Sequence, residues 1–232
     1  ADYYEARAID IFLNPNKTNY IKNPSFETNV TDSWTIHGSA TVAQDLDVSD
    51  EVYSGTNSAK ITATGSWTFT SNAMPIETGN YFTGSGFVKS DADFSVGFIS
   101  LDEDENVIET MTSVNLGTFT NWAQFQLVDL VDANSPNVVF YKLQLSGDAG
   151  TFYLDSLQFE KGVKHTDYFD GSVPADFGAV WEGTAHNSYT HLYVGKTFKI
   201  PRLAQTLNDW MPPNSFWRLR SYDGVEYTNL TV

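Results

Sequence analysis

Asn19-Tyr20-Ile21-Lys22-Asn23-Pro24-Ser25-Phe26-Glu27 is the stretch that decides the fold, read together with a distant partner, Thr151-Phe152-Tyr153-Leu154-Asp155-Ser156-Leu157-Gln158-Phe159-Glu160. In the first, Tyr20 and Ile21 begin a strand and Asn23-Pro24 turns the chain, because proline fixes its own φ and keeps the preceding residue extended. Phe26 then turns inward and Glu27 is left at the turn. In the second, strict alternation sets Phe152, Leu154, Ser156, Gln158 and Glu160 against Tyr153, Asp155, Leu157 and Phe159, which predicts one strand carrying a carboxylate on a mostly apolar face. An ionised Asp in such a place needs a counter-ion or several hydrogen-bond donors. Glu27 and Asp155 therefore admit two readings. They share one cation, or Glu27 caps local amides while Asp155 accepts bonds from a neighbouring loop.

The Asn-Pro-Ser-Phe-Glu turn, the later strand Ser58-Ala-Lys-Ile-Thr62 and the closing Phe-Tyr-Leu-Asp strand together resemble the jelly-roll carbohydrate-binding modules that accompany xylanases and glucanases. The resemblance covers residues 19 to 162. It implies an all-β jelly-roll β-sandwich and a structural calcium held by Glu27, Asp155 and the backbone carbonyl of Lys60. Oxygen ligands of mixed type suit a hard cation.

Composition agrees with that class. Of 232 residues, 41% are hydrophobic and 15% aromatic, enough for a substantial core rich in Phe and Tyr. A net charge of −16 argues against binding a phosphate backbone, which calls for a stripe of Lys and Arg. There is no cysteine, so disulfides and thiol chemistry are absent. No apolar run reaches the length of a membrane span, and no charged-then-apolar leader opens the sequence. A start at Ala1 rather than Met fits a processed chain or a piece of a longer protein.

Along the chain, residues 1–18 read as an N-terminal arm, residues 19–162 as the sandwich and residues 163–232 as a loop-rich C-terminal extension that packs on the sandwich or on a neighbouring subunit. From Trp34 onward short strands recur about every ten residues, as in a sandwich. They are predicted at Trp34–His37, Thr41–Asp45, Ser58–Ala63, Trp67–Thr70, Asn80–Lys89, Asp93–Leu101, Val107–Thr112, Trp122–Val128, Val138–Leu145 and Thr151–Phe159. Asp102-Glu-Asp-Glu-Asn106 reads as a solvated hairpin tip, since the Gly and the final Glu of a calcium loop are missing. Strands at Lys196–Ile200 and Phe216–Arg220 and a short helix at Leu203–Trp210 are expected in the extension.

The run from His165-Thr-Asp-Tyr-Phe-Asp-Gly171 through Val180-Trp-Glu-Gly183 to Ser188 looks like a segment that follows such modules in bacteriophage tail proteins. That resemblance implies a virion component, assembled as a homo-oligomer with other virion proteins and facing a host-surface glycan. Two further readings stand beside it: an accessory carbohydrate-binding module of a secreted polysaccharide-degrading enzyme, and a decoration or bracing protein that binds no sugar.

Catalytic signatures are missing: there is no nucleophile elbow, no His-Glu-x-x-His and no phosphate-binding glycine loop. His37, His165, His186 and His191 follow no zinc spacing. Sugar recognition asks for flat aromatic faces flanked by polar groups. Trp67 is the principal expected stacking residue, because it follows the Ser-Ala-Lys-Ile-Thr strand where relatives with a cleft carry a Trp; the alternative is a core or interface position. Tyr81 and Phe98 are expected as a second platform, with Asn72, Gln124 and Gln144 as polar contacts. Trp34 and Trp122 are expected to be buried, and Trp181, Trp210 and Trp217 to join the extension to the sandwich or to another chain.

Overall fold

The structure is a computed structural model that describes residues 17–46, 50–111, 113–132, 134–135, 137–172 and 179–192, with the backbone of 219–220 and 226–227. Its strands are β1 (Lys17–Asn19), β2 (Thr35–Asp45), β3 (Ser58–Thr70), β4 (Met74–Pro75), β5 (Tyr81–Ser90), β6 (Phe94–Leu101), β7 (Val107–Thr110), β8 (Val114–Gly117), β9 (Ala123–Leu130), β10 (Phe140–Gly147), β11 (Gly150–Lys161), β12 (Ala179–Trp181), β13 (Thr190–Leu192), β14 (Leu219–Arg220) and β15 (Glu226–Tyr227). Among the described residues there is no helix. Lys17–Leu192 form one compact unit. Ala1–Asn16 with Tyr193–Val232 form a second, in which β14 pairs antiparallel with β15. Residues 1–16 of the expected N-terminal arm, the strand at Lys196–Ile200 and the helix at Leu203–Trp210 lie outside the described residues, while residues 17–18 begin β1.

The sandwich arises from two long strands that serve both of its sheets. The first half of β3 pairs with β11 (Ala59 to Ala63 against Leu154 to Gly150), and its second half pairs with β10 (Trp67 to Thr70 against Gly147 to Gln144). β2 accompanies β3 throughout, with a bulge between Gly38 and Ala40. One sheet thus runs β2-β3-β11-β5-β9 and the other β2-β3-β10-β6, with β7 and β8 both on the far edge of β6. The sequence pattern divides each shared strand into two, whereas the chain bends through without breaking. Gly38 makes the bend fit: its φ is +92°, and a Cβ there would lie 2.3 Å from the Ser66 carbonyl oxygen.

Between the sheets lies an aromatic core. Phe98 stacks on Tyr141 at 5.4 Å and meets Phe159 edge-on at 5.6 Å; Phe159 in turn stacks on Phe82 at 5.4 Å. At the entry, Trp34 stacks on Phe69 at 4.8 Å beside Phe26. The opening stretch lies on the closing strand, as Asn19 shows. Its amide donates to the Leu157 carbonyl (3.0 Å) and accepts from the Phe159 N–H (3.0 Å). The Leu157 N–H donates to the Pro24 carbonyl at 2.8 Å.

β11 departs from simple alternation. Ser156 has φ +52°, and the register against β5 shifts between Asp155 and Gln158. One residue is inserted, so Phe152 and Leu154 share the core with Leu157 and Phe159. Asp155, Gln158 and Glu160 are therefore on the side away from the core, yet each is buried, because other segments cover them. Glu160 pairs with Lys17 at 3.3 Å and accepts from the Thr166 N–H, which fastens the run after β11. The Phe169 N–H donates to the Gln158 amide oxygen at 3.3 Å, and the Asn23 N–H donates to the His186 carbonyl at 2.6 Å. β12 and β13 join β1 in a small three-stranded sheet.

Trp67 and Phe98 correct the sequence reading. They are only 2% and 1% exposed, and Trp67 lies edge-on to Phe152 at 4.8 Å, so neither offers a face to a ligand. Both occupy inward positions of strands whose other inward residues are Phe69 and Val96. Trp67→Ala is accordingly expected to lower unfolding stability by about 3–5 kcal/mol in a urea titration. The Trp67 indole N–H has no hydrogen-bond partner among the described residues. Trp67→Phe, which removes that group, is expected to cost well under half as much.

Candidate functional site

The loop Tyr53-Ser54-Gly55-Thr56-Asn57 is held between two carboxylates. Asp155 Oδ2 accepts the N–H groups of Tyr53 (2.9 Å) and Ser54 (2.8 Å), while Oδ1 accepts the Ser156 N–H (2.5 Å) and hydroxyl (3.3 Å). Glu27 Oε1 accepts the N–H groups of Thr56 (2.8 Å) and Asn57 (3.2 Å), and Oε2 accepts the Thr56 hydroxyl (2.5 Å) and the Asn57 amide (2.9 Å). An ionised carboxylate offers about four lone-pair sites, and here each has four donors.

As arranged here, the donor set does not fit the expected calcium. The oxygens of Glu27 and Asp155 are occupied by N–H and O–H groups, which a cation would have to displace. Lys60 lies opposite Tyr153 in the interior of the sheet. Its carbonyl is thus about 6.6 Å of strand rise from the level of Asp155, in a ladder that uses it. Among the described residues, no group of three or more Asp, Glu or His side chains converges on one point. The Lys60 ammonium is held charged by the Tyr153 hydroxyl and Asp45, which lies 3.0 Å away.

The other expected site residues are dispersed. Asn72 spends its amide on the chain, donating to the Tyr20 (3.2 Å) and Ala73 (3.0 Å) carbonyls and accepting from the Lys22 N–H (3.0 Å). It lines a groove of about 470 Å³ shared with Trp34, Phe140, Lys142 and Tyr189. Gln144 lies half-buried on the outer side of β10, between Thr70 and Gly97. Tyr81 is exposed at the start of β5, opposite Leu130. Gln124 is exposed on the outer side of β9, opposite Phe87. The structure does not bring these four together.

A second cavity, about 510 Å³, adjoins Glu27 and is lined by Ser25, Gly55, Tyr168, Asp170 and His186. Buried Asp170 accepts the Tyr168 hydroxyl (2.9 Å), the Ser25 hydroxyl (3.3 Å) and the Ser172 N–H (2.8 Å). Burial, with Asp170 adjacent, pushes the Tyr168 hydroxyl well above the usual range.

Sequence reasoning missed Tyr53 and Phe87. Tyr53 lies flat on Phe87, with centroids 3.5 Å apart and planes at 14°, and Trp122 stands 5.9 Å from it at 60°. Trp122, expected in the core, is partly exposed on the surface instead. The available signal was Phe87, an aromatic at an outward position of β5 with Ser85 and Lys89 two residues to either side.

Burial pushes the Asp155 carboxyl up to about 7 from its ordinary 3.8, against the pull of the Ser54, Ser156 and Tyr53 N–H groups. The folded chain then holds this proton more tightly than the unfolded chain. The contribution is fully present below the unfolded value and is lost as pH rises through about 7, a difference on the order of 4 kcal/mol. Urea titrations at pH 4.5 and 8 are expected to show this loss in the unmodified chain but not in Asp155→Asn, the difference between the two isolating this group.

Residues 18–141 match the profile of a family described as a carbohydrate binding domain. The enzymatically active domain of tailspike protein 4 from bacteriophage CBA120 superposes with a TM-score of 0.52 and 18% identity, over 61% of this chain and 21% of that one, so the chain spans about a fifth of the tailspike's length. The CBM22-1 xylan-binding domain of Paenibacillus barcinonensis Xyn10C gives a TM-score of 0.47 and 17% identity, over 64% and 94% of the two chains. The C-terminal family 22 carbohydrate binding module of Clostridium thermocellum Xyn10B gives 0.45 and 17%, over 62% and 92%. Curated protein sequences give no match. With the profile spanning more than half of the chain and covering strands β2 to β9 of its sandwich, the chain belongs to this carbohydrate binding domain family.

Proposed function

We propose that this chain is a non-catalytic glycan-binding component of a virion, part of a phage tail or another surface-exposed structure, and that it serves host attachment. Family membership supplies the binding class. The observation that carries the virion reading is the run from His165 to Ser188, which the sequence likens to a segment of tail proteins. It folds back onto the module's first turn through Asp170 and His186 and onto its last strand through Thr166 and Phe169. Its described residues, 165–172 and 179–188, are thus part of the module's architecture. A tailspike chain carries the same fold. No helix among the described residues is long and apolar enough to cross a membrane. Assembly as a homo-oligomer with other virion proteins belongs to this reading.

The family match favours a second reading equally well, an accessory module of a secreted polysaccharide-degrading enzyme. Pull-down of the full chain on bacterial cells of the host type and on insoluble xylan and β-glucan separates the two. The virion reading predicts saturable binding to cells, abolished by prior removal of surface polysaccharide. Binding to the plant polymers alone favours the accessory module, and binding to neither leaves a bracing role.

A further inference from the structure

The outer side of the β5–β9 pair carries an aromatic surface that neither the core nor the groove beside Asn72 uses. We propose that Tyr53 and Trp122 form the stacking floor of a glycan site there, with Gln124 and His165 as its polar flank, and that its ligand is a neutral pyranose polysaccharide; this rests on the glycan-binding reading above.

Register brings the parts together. Phe87 lies opposite Gln124 across the ladder, and Val88 opposite Ala123, so Trp122 follows at the next level beside Lys89. Tyr53 arrives from the loop and lies parallel to Phe87. That contact covers one face of the ring while the residue remains 46% exposed. A pyranose presents an apolar C–H face that packs on such a ring, and a second ring inclined at 60° gives the chain a wall.

Both rings are fixed before any ligand arrives. The Tyr53 N–H is bonded to buried Asp155, and the Trp122 indole N–H donates to the Asp50 carbonyl at 3.0 Å, which also accepts from Lys89 at 3.1 Å. Segment 50–53 therefore sets the two rings as one rigid unit, which lowers the ordering cost of binding. A mere lid over Phe87 would need neither the indole anchor nor the exposure.

Polar groups stand at the margin. His165 Nδ1 donates to the Thr166 carbonyl at 2.9 Å, so its 3.4 Å approach to Gln124 is the weaker contact and the exposed Gln124 amide keeps hydrogen-bonding capacity for hydroxyls. With a net charge of −16, the chain repels polyanionic glycans, which selects a neutral polymer.

Affinity electrophoresis of the full chain through gels containing soluble xylan, galactan, mixed-linkage β-glucan, mannan, dextran or neutral surface polysaccharide released from bacterial cells of the host type tests the site. Retardation is expected in at least one gel, weakened about tenfold or more by Trp122→Ala and Tyr53→Ala, reduced by Gln124→Ala, and kept within about twofold by Tyr53→Phe. Gln124→Ala changes an exposed side chain, so its result stands even if the ring variants fail to fold. Retardation that survives Trp122→Ala and Gln124→Ala but is lost in Gln144→Ala overturns this site and leaves the glycan-binding reading intact. No retardation of the unmodified chain in any gel overturns both.

Discussion

Everything distinctive about this molecule depends on two carboxylates that grip one short loop. Asp155 on the closing strand and Glu27 in the first turn together take the N–H groups of Tyr53, Ser54, Thr56 and Asn57. A buried carboxylate is costly unless its lone pairs are satisfied, and a loop crossing the back of a sheet has amides to satisfy. Each requirement offsets part of the other, although at Asp155 burial still outweighs the donors. The loop is drawn down over β11 and β5, and the residue that begins it, Tyr53, is laid on Phe87.

Much of this was legible in the chain. The opening stretch Asn19–Glu27 and the closing stretch Thr151–Glu160 meet across the whole domain, Asn19 bonding Leu157 and Phe159 and Pro24 bonding Leu157. The strands were legible too, because alternation with turn residues between is a local signal. The bulge at Ser156 was not. One left-handed residue inserted into β11 moved Leu157 and Phe159 into the core and turned Asp155 out of it, and no period-2 pattern announces such an insertion. The continuity of β2 and β3 was hidden for a similar reason: a bend at Gly38 reads locally as a break.

The expected binding residues fared according to whether their facing was a local property. Gln124, expected as a polar contact to a sugar, is exposed because β9 alternates regularly. Trp67 faces inward with Phe69, two residues on in β3, a local alternation that outweighs the position suggested by the resemblance. Tyr53 sits in a polar loop where nothing local marks it; its position is decided by an aspartate 102 residues later. The cation expected between Glu27 and Asp155 rested on the family resemblance and on carboxylates set among apolar residues. Residue type cannot distinguish a carboxylate aimed at a metal from one saturated by amides.

These carboxylates hold the loop as firmly as the core is held. Amide hydrogen exchange resolved at Tyr53, Ser54, Thr56 and Asn57, in the unmodified chain and in Glu27→Gln, tests it most directly. We expect the four amides of the unmodified chain to exchange as slowly as those of β5 and β11, and Thr56 and Asn57 to become selectively faster in the variant. Exchange of all four at the rate of an unprotected loop in the unmodified chain would contradict the clamp and, with it, the fixed placement of Tyr53.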